Sequence, residues 1–380
     1  MRKYNIGILG CGNISKVYLR DICKHFKQLN IKGCFDMSPE KAQEISNEFG
    51  LNIFPSFEEM LSDNEVDIIV NLTPPFAHHE LNMQILNAGK NLFCEKPFAL
   101  NVSEAEKTLS AASKKNLYIG AAPDTFLGPG AQTLLKIVND GWIGKPLSVT
   151  ANMTSSGVES WHPAPQNYYG KGGGPLYDMA GYYLSVIIAL FGAAESVAAF
   201  SSTGFEYRTK LTEPDFGKKI KAEVPTHYSA ILRLKNGVII NMTMSFDILK
   251  STLPKLEIYG TDGVINYPDP NMSTGKPKIF RKEQAVNQSY FTPNDASLDF
   301  FEVPEVFPAI SDYSRGMGIL DLAYAIERKT PNRANGQLAL HITEVIEGMI
   351  ISSETKEIYT MKTECEKPAP LTPGLEFGVL

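Results

Sequence analysis

Lys96 stands where an ammonium group could act on a reacting oxygen atom. It follows the apolar run Asn91–Cys94, which is typical of a strand buried on both faces. Ligands bind at the carboxyl edge of parallel sheets, where an ammonium group can stabilise charge developing on a hydroxyl or carbonyl oxygen. Burial is expected to lower the pKa of Lys96 enough for proton transfer. The alternative is a solvated loop lysine, but the fixed φ of Pro97 favours a positioned side chain.

A glycine-containing turn near the N-terminus has the spacing of a pyrophosphate-binding loop. The pattern G-x-G-x-x-S begins at Gly10, directly after a strand-like run. Gly10 permits a tight turn, Gly12 lets the backbone approach a pyrophosphate, and Ser15 is small enough for close helix–strand packing. The first helical amides, at Asn13 and Ile14, would donate to the phosphates. Glycine pairs also mark ordinary turns, so the position between strand and helix is what favours a dinucleotide site.

Asp36 is the second element of that site. It ends another apolar run, just before Ser38-Pro39. A carboxylate there can accept hydrogen bonds from both ribose hydroxyls of an adenosine and would repel a 2′-phosphate. NAD is therefore the expected cofactor, with NADP as the alternative. The competing interpretation of Asp36 is an ordinary loop aspartate.

These residues require a scaffold of alternating strands and helices. The apolar runs predict five strands, at Tyr4–Leu9, Ile31–Phe35, Asp67–Leu72, Asn91–Cys94 and Leu117–Ala121. Helix starts are indicated between them at Ser38-Pro39, Ser56-x-x-Glu59 and Ser103-x-x-Glu106. Strand–helix–strand succession implies a parallel sheet. The sequence therefore predicts an N-terminal Rossmann dinucleotide-binding domain, of class α/β, over residues 1–123.

Residues 124–380 predict an α+β domain for substrate binding and oligomerisation, built on a large antiparallel sheet. Its strands are expected at Pro146–Met153, Val197–Thr203, His227–Leu234, Gly237–Ser245, Pro254–Tyr259 and Gly263–Tyr267. Asn236-Gly237 is a hairpin turn signal. Helices are expected at Gly130–Asn139, Leu176–Leu190, Asp312–Arg328 and Gly336–Thr355, the last two packing back on the first domain. The segment Pro268–Pro308 is rich in Pro, Asn and Ser and is predicted to be a long loop.

Several ordered motifs resemble the Gfo/Idh/MocA family of oxidoreductases over essentially the whole chain. They are Gly10-x-Gly12, Thr73-Pro74, His78-x-Glu80, Ala88-Gly89-Lys90, Glu95-Lys96-Pro97, Gly172-Gly173-Gly174-x-Leu176-x-Asp178 and Leu190-Phe191-Gly192. Their order and spacing together are more specific than any one of them. The resemblance implies the same two-domain architecture, with the sheet often forming a dimer interface. A homodimer or homotetramer is therefore expected.

The resemblance also implies roles for single residues along the cofactor. In the family the lysine of the Glu-Lys-Pro triplet lies near the nicotinamide, and Lys96 matches it. Thr73, Pro74, His78 and Glu95 match positions along the same edge. His78 could instead only cap the helix that follows it.

Asp178 matches a family residue that binds or polarises the substrate. Many members carry an acid/base histidine four residues later, where this chain has Tyr182, although some active members also have tyrosine there. A spacing of four places Asp178 and Tyr182 on one helix face. A tyrosine beside Lys96 could donate a proton to a carbonyl, with the cation lowering its pKa. Core packing is the competing interpretation of Tyr182, and His162 is the second candidate for the acid/base.

Four further positions are candidates for substrate binding. Trp161 and His162 lie in a loop after a strand, where an aromatic face can stack on a sugar and a histidine can relay a proton. Asp124 follows the fifth strand and Asp247 lies near a strand end, and either could instead be a structural cap.

Composition narrows the class of partner to a small molecule. The chain has 380 residues, a formal net charge of −6 and no basic block, which argues against nucleic acid and membrane surfaces. It has no run of about 18 apolar residues, so no transmembrane helix is expected. Five cysteines without a C-x-x-C pair predict free thiols in a cytoplasmic, reducing compartment and no metal site.

The expected reaction is hydride transfer between nicotinamide and a hydroxyl-bearing carbon, for which the protein supplies orientation and charge. By resemblance the substrate is a sugar, inositol or related polyol. Two alternatives stay open. One is a glycosidase that oxidises its sugar transiently and shows no net redox change. The other is a non-catalytic dinucleotide-sensing regulator, against which the intact Glu95-Lys96-Pro97 and Asp178 argue.

Overall fold

The computed structural model describes residues 2–284, 300–307 and 313–372, and its first sheet has five parallel strands. The strands are β1 (Tyr4–Leu9), β2 (Leu29–Phe35), β3 (Ile68–Asn71), β4 (Asn91–Cys94) and β5 (Ile119–Ala121). The helices are α1 (Asn13–His25), α2 (Pro39–Phe49), α3 (Phe57–Ser62), α4 (His78–Asn87) and α5 (Val102–Lys114). The predicted Rossmann arrangement is confirmed, because strand and helix alternate and every strand pair is parallel.

Polar side chains set where three of these helices begin. Ser38 and Ser56 cap α2 and α3 by accepting hydrogen bonds from main-chain N–H groups three residues further on. Asn101 caps α5 in the same way, by accepting from the N–H of Glu104. The predicted cap at Ser103 is wrong, since asparagine is at least as good an N-cap and stands two residues earlier.

The strand order β2-β1-β3-β4-β5 reverses direction at β1. The chain leaves β1 toward β2 on one side and reaches β3 on the other. Ligands of open α/β sheets bind outside the carboxyl ends of the strands at such a switch point. Gly10, Thr73 and Lys96, which follow β1, β3 and β4, all lie along this edge.

A second, nine-stranded sheet carries the rest of the chain, in the order β15-β14-β13-β12-β6-β11-β10-β7-β16. The strands in chain order are β6 (Pro146–Thr154), β7 (Ala194–Ser202), β8 (Tyr207–Thr209), β9 (Lys219–Lys221), β10 (His227–Leu234), β11 (Ile239–Ser245), β12 (Leu256–Gly260), β13 (Gly263–Tyr267), β14 (Lys278–Arg281), β15 (Phe301–Glu302) and β16 (Tyr359–Thr360). The helices are α6 (Pro129–Asn139), α7 (Gly181–Phe191), α8 (Met317–Arg328) and α9 (Gly336–Thr355). β8 and β9 form a separate hairpin.

The large sheet is mixed, because β6 and β11 pair in parallel while the other pairs are antiparallel. The apolar, buried helix α7 carries the chain from β6 to β7, and the antiparallel run β7-β10-β11 then returns beside β6. A helical crossover of this kind joins parallel strands.

Sequence reasoning missed several short strands. The stretch predicted as one loop, Pro268–Pro308, contains β14 and β15, and part of it lies outside the described residues. The hairpin β8–β9 was also missed. These strands have two to four residues, too short for an alternating pattern to stand out. Asp312, predicted to begin a helix, lies outside the described residues, and α8 begins at Met317.

The last two helices connect the two sheets. α8 contacts β4 and β5, while α9 contacts α5 on one side and β7 on the other. No helix in the described part of the chain has the length and hydropathy needed to cross a bilayer. All five cysteines are free.

His341 on α9 makes this connection sensitive to pH. Its Nε2 accepts a hydrogen bond from the N–H of Ala194, so its Nδ1 carries the proton and donates to Thr363 Oγ1. Burial lowers the pKa of His341 from 6.5 to about 4. Between these values the unfolded chain binds a proton that the folded chain does not, so stability falls as pH falls.

We expect this histidine alone to remove about 3 kcal/mol of unfolding free energy between pH 6.5 and 4, since each pKa unit corresponds to about 1.4 kcal/mol. Denaturant unfolding of the wild type and His341→Gln over that pH range measures it. Glutamine can still accept from Ala194 but does not titrate. The stability difference between the two proteins should therefore narrow as pH falls, and a constant difference would contradict the prediction.

Candidate active site

The two glycines of the turn after β1 meet different constraints. Gly10 has φ +97°, and a Cβ there would lie 2.9 Å from the main-chain carbonyl of Leu72. Gly12 has φ −79°, which any residue adopts, and a Cβ there would meet no protein atom within 4 Å. The fold itself thus demands glycine at 10 but not at 12. Close approach of a ligand explains the second glycine.

The N-terminus of α1 is suited to bind a pyrophosphate. Gly12 is its N-cap and supplies no side-chain hydrogen bond to the first amides, including those of Asn13 and Ile14. Such amides and the helix dipole favour an anion. Ser15 is buried and donates from its Oγ to the carbonyl of Gly12, so a small side chain packs where helix and strand approach. These features fit NAD.

Asp36 holds the turn from the end of β2. Its Oδ2 accepts a hydrogen bond from the N–H of Cys11 at 2.7 Å, and its Oδ1 accepts from the N–H of Ser38 at 2.8 Å. Each carboxylate oxygen keeps a further acceptor position for a ribose hydroxyl. The residue therefore stays a candidate for cofactor recognition while also shaping the loop.

Replacing Asp36 by alanine is expected to weaken NADH binding by about tenfold to a hundredfold, because hydrogen bonds to a charged group are worth about 1.5–3 kcal/mol. NADPH should lose less, since the repulsion of its 2′-phosphate is also removed. Asp36→Asn separates the two effects, because it keeps an acceptor without the charge. Titration of both nucleotides against the three proteins measures this. A wild type that binds NADPH more tightly than NADH would contradict it.

The loop after β3 lies against the glycine turn. Thr73 donates from its Oγ1 to Asn71 Oδ1 at 2.6 Å, and Pro74 is exposed beside it. His78 is buried, and its Nε2 and Nδ1 each lie 2.7 Å from a carbonyl oxygen, of Thr73 and Pro97 respectively. His78 thus joins the loop after β3 to the loop after β4 from within the protein.

Lys96 reaches across the molecule to Asp178. Its Nζ donates to Asp178 Oδ1 and to the main-chain oxygen of Asp178, both at 2.8 Å. The turn at Leu176–Ala180 is a π-helical turn, a feature often found at functional sites, and it presents both oxygens to the ammonium group. The predicted helix over 176–190 is therefore divided into this turn and α7. The pair joins the first sheet to the second part of the chain.

Glu95 fixes the main chain of Lys96. Its Oε2 accepts a hydrogen bond from the N–H of Lys96 at 2.6 Å, and its Oε1 accepts from the hydroxyl of Tyr18 at 3.0 Å. The Lys96–Pro97 peptide is cis. Glu95 is buried, so these hydrogen bonds fix the main chain of Lys96 from the interior of the protein.

The expectation that the pKa of Lys96 lies below its usual value is wrong. Burial lowers the pKa of Lys96, but the negative charges of Asp178 and Glu95 outweigh burial and raise that pKa above its usual value. An ammonium paired with a carboxylate keeps its proton. Lys96 is therefore held as a cation and hydrogen-bond donor.

Two cations lie beside Tyr182. Lys96 Nζ and Arg315 Cζ are each 5.5 Å from the centre of its ring, and Arg315 Nη2 lies 3.4 Å from its hydroxyl. Burial raises the pKa of Tyr182, while the charges of Lys96 and Arg315 oppose that rise. Asp178 stands four residues earlier and binds Lys96, so the structure brings Lys96, Asp178 and Tyr182 together.

His162 and Trp161 lie in the loop that follows β6. The ring of His162 packs edge-on against Tyr168 at 4.7 Å and against Trp161 at 5.4 Å. Its Nδ1 accepts from the N–H of Ala164, so in the neutral ring Nε2 carries the proton. Burial lowers the pKa of His162, and Asp178 and Lys96 are among the charges that act on it. Trp161 is 63% exposed.

Two of the predicted substrate-binding aspartates have partners within the chain. Asp124 is buried, and its Oδ2 accepts from the N–H groups of Gly316 and Gly318 at the start of α8. Asp247 forms an ion pair with Arg208 and accepts from Thr226 Oγ1 and the N–H of Gly204. These contacts are of the kind that the alternative of a structural cap predicts, and the role of both residues in substrate binding stays a prediction.

Sequence reasoning did not single out Arg315 or Tyr168. Burial and the charge of Asp178 raise the pKa of Tyr168 to about 12, which places its hydroxyl in the same electrostatic environment as Lys96 and Tyr182. The only sequence signal at Arg315 is a charged residue just before the apolar pattern of α8. Among the described residues, no three His, Cys, Asp or Glu side chains come together as a metal site would require.

Comparison with known proteins places this geometry in a family. Residues 4–122 match the model of an oxidoreductase family with an NAD-binding Rossmann fold, and residues 131–266 match the GFO/IDH/MocA C-terminal domain. An inositol 2-dehydrogenase/D-chiro-inositol 3-dehydrogenase of Lactiplantibacillus plantarum is 30% identical over 37% of this chain and 41% of its own length. A myo-inositol 2-dehydrogenase of Thermotoga maritima is 23% identical over 68% of this chain and 74% of its own length. The match spans only about two fifths of the length of the Lactiplantibacillus plantarum enzyme and of an oxidoreductase of Schizosaccharomyces pombe that is 27% identical.

Solved structures share the fold over nearly the whole chain. Levoglucosan dehydrogenase in complex with NADH and L-sorbose has a TM-score of 0.77 at 19% identity, covering 95% of this chain and 99% of its own. Aldose–aldose oxidoreductase of Caulobacter crescentus, complexed with glycerol, has a TM-score of 0.74 at 18% identity, covering 95% and 100%. With both domains matched in order, the chain belongs to the Gfo/Idh/MocA family of NAD-binding oxidoreductases.

Proposed function

We propose that the chain is an NAD-dependent dehydrogenase that moves a hydride to or from a hydroxyl-bearing carbon of a sugar, inositol or related polyol. The observation that carries the proposal is the cluster of Lys96, Asp178 and Tyr182 at the carboxyl edge of the first sheet. It brings a fixed cation, a carboxylate and a phenol together. Such a set suits the interconversion of an alcohol and a carbonyl.

Bound NAD would accept or return the hydride. The work of the chain is to bind, orient and handle a proton. Lys96 Nζ donates a hydrogen bond to the substrate oxygen and stabilises its partial negative charge as the carbon–hydrogen bond breaks or forms. In reduction the phenol of Tyr182 gives its hydroxyl proton to the carbonyl oxygen and becomes a phenolate. In oxidation the phenolate form of Tyr182, stabilised by the neighbouring charges of Lys96 and Arg315, takes the proton of the substrate hydroxyl. Asp178 keeps Lys96 charged and aimed at this position.

The substrate class rests on the family and on the aromatic rim of the site. Two relatives are inositol dehydrogenases, and one of the similar solved structures is a levoglucosan dehydrogenase. These proteins are the precedents for a cyclic polyol or sugar as the substrate. Trp161 and Tyr168 offer ring faces of the kind that pack on the apolar side of a sugar ring. The polar groups of Lys96 and Tyr182 would then select a hydroxyl.

A panel of inositols, aldoses and polyols, incubated with NAD or NADP, tests the proposal through the absorbance of the reduced nicotinamide. We expect turnover with at least one cyclic polyol or sugar. A thermal shift with NADH alone, which should raise the unfolding temperature, verifies cofactor binding separately. Cleavage of aryl glycosides without accumulation of reduced cofactor would replace the dehydrogenase by a glycosidase. Cofactor binding with neither reaction would favour a dinucleotide sensor.

Tyr182→Phe decides between the two acid/base candidates. Its loss is expected to lower kcat by about a hundredfold or more, in line with the contribution of a positioned acid/base. His162→Gln should instead alter KM more than kcat, because we place the imidazole at the substrate rim beside Tyr168. Steady-state kinetics of both variants measure this. A Tyr182→Phe enzyme with normal kcat would remove tyrosine from the mechanism.

We further propose a homodimer or homotetramer assembled through the outer face of the large sheet, in a cytoplasmic setting. Phe200 and Ile231 are 67% and 55% exposed on the face of β7 and β10 opposite the buried side chains. Apolar side chains of this size on an open sheet face favour burial against a second copy. The five free thiols are consistent with a reducing compartment.

A further inference from the structure

Arg315 is the most deeply buried cation near the candidate site, with 1% of its surface exposed. It lies just before α8, 133 residues after Tyr182 in the sequence. Its Nη2 donates to Asn271 Oδ1 at 2.8 Å and lies 3.4 Å from Tyr182 Oη, while its Nη1 donates to the carbonyl of Ser314 at 2.9 Å. Burying a guanidinium is costly unless it is paired and hydrogen-bonded, so its position calls for an explanation.

A guanidinium can only donate hydrogen bonds. At Tyr182 the hydroxyl oxygen must therefore be the acceptor, and its own hydrogen must point away from Arg315. Lys96, whose Nζ lies 5.5 Å from the ring centre, is also a donor only, so neither cation can take the hydroxyl hydrogen. The hydroxyl hydrogen is therefore left for another acceptor, and the oxygen of a substrate bound to Lys96 is one.

We propose that Arg315 is a positioning residue that binds Tyr182 Oη and turns the hydroxyl hydrogen of Tyr182 toward the substrate oxygen. This inference rests on the proposed function, because it assigns Arg315 a part in the proton transfer of that reaction. Arg315 acts through Tyr182 and has no direct role on the reacting carbon. Its cation–π contact with the ring holds the tyrosine in the same orientation.

The charges around Tyr182 make the role measurable. Lys96 and Arg315 oppose the rise in the pKa of Tyr182 that burial causes, whereas Glu95 and Tyr313 add to it. Asp178 is held by Lys96, and Asp124 faces Arg315 from the end of β5. Removing Arg315 therefore leaves a buried phenol with one neighbouring cation instead of two. Its pKa should move upward.

Arg315 is also held by residues that do not contact Tyr182. Its main-chain N–H donates to Asp21 Oδ2 at 3.0 Å, and Asp21 is in turn held by Arg20. Asn271 Oδ1 fixes the guanidinium itself. Changing Asn271 should therefore loosen the Arg315 side chain without removing its charge.

The test compares Arg315→Met, Arg315→Lys and Asn271→Ala with the wild type in the pH profile of kcat for oxidation of the polyol found by the panel. Arg315→Met should move the limb governed by Tyr182 to higher pH by about one to three units, the size expected for losing a neighbouring opposite charge. Arg315→Lys, which keeps the charge but not the planar fork, and Asn271→Ala should each move it less. Arg2→Met, which removes an exposed guanidinium paired with Asp67 just before β3, is the matched control and should leave the profile unchanged.

A lower kcat with an unmoved limb in Arg315→Met would overturn the proposal, because a merely structural residue behaves in that way. If Arg315→Met does not fold, Asn271→Ala carries the test by the same criterion. A second readout does not need turnover. NMR titration of ¹³C-tyrosine-labelled protein, with the Tyr182 signal assigned through Tyr182→Phe, should show the same upward shift. Thus, if the panel finds no substrate, the proposed function fails while the effect of Arg315 on Tyr182 is still decided.

Discussion

Lys96→Met is expected to lower kcat by about a hundredfold to ten-thousandfold while NADH binding stays within a few-fold of the wild type. The ammonium group donates to Asp178 and lies 5.5 Å from the ring centre of Tyr182, and its charge is what we expect to stabilise the reacting oxygen. Methionine keeps much of the volume of the side chain but neither the charge nor the hydrogen bonds. The glycine turn and Asp36, which we propose to bind the cofactor, are untouched.

Two companion variants show which property of Lys96 matters. Lys96→Arg keeps the charge but replaces a compact ammonium by a planar fork, so we expect it to recover only part of the lost rate. Lys16→Met removes an exposed lysine that pairs with Glu44 and Glu48 on the surface, and it should leave kcat unchanged. Stopped-flow measurement of hydride transfer, with NADH affinity measured in parallel, separates chemistry from binding. A Lys96→Met enzyme with kcat within about fivefold of wild type would show that another group does this work.

The sequence was most informative where structure is local. The first sheet could be predicted because each of its strands is a short apolar run. The helices α2 and α3 could be predicted because each is preceded by a serine whose side chain accepts a hydrogen bond from the main-chain N–H three residues further on. Asp36 and the Gly10 turn could be predicted for the same reason, because each lies between the end of a strand and the start of the next helix in the chain. Here secondary structure alone brings the functional groups to one edge.

What could not be predicted depends on packing between distant segments. Arg315 reaches Tyr182 only because α8 packs on the first sheet, and a single charged residue before a helix gives no sign of this. The direction of the pKa shift of Lys96 failed for the same reason. Burial could be guessed from sequence, but the contact with Asp178, 82 residues away, reverses its effect. The resemblance named both residues without giving the distance between them.

The parallel pairing of β6 and β11 shows the same limit on fold prediction. Both strands were predicted, and Asn236-Gly237 marked the turn that leads into β11. Which strand lies beside β6 is decided by the crossover through α7, not by any pattern within β11. Strand existence is a local property, whereas strand order is not.

The largest expected effects on cofactor binding and on folding come from two glycines that stand two residues apart. Gly12→Val should leave the unfolding free energy of the free protein within about 1 kcal/mol, because φ at residue 12 suits any side chain and a Cβ there meets no protein atom. NADH affinity should nevertheless fall by about tenfold to a hundredfold or more, since overpacking costs about 1–3 kcal/mol where the pyrophosphate must approach. Gly12→Ala should show a smaller loss of the same kind.

Gly10→Ala should have the opposite signature. A φ of +97° costs a non-glycine residue about 1–2 kcal/mol, and the added Cβ would lie 2.9 Å from the carbonyl carbon and oxygen of Leu72, which are backbone atoms and cannot rotate away. We expect about 2–5 kcal/mol of lost stability, visible as a lower unfolding temperature before any cofactor is added. Thermal unfolding and NADH titration of the Gly10 and Gly12 variants separate the two causes. If Gly12→Val lowered the unfolding temperature as much as Gly10→Ala, the second glycine would be required by the fold. If the Gly12→Val protein bound NADH normally, the pyrophosphate would have to lie elsewhere.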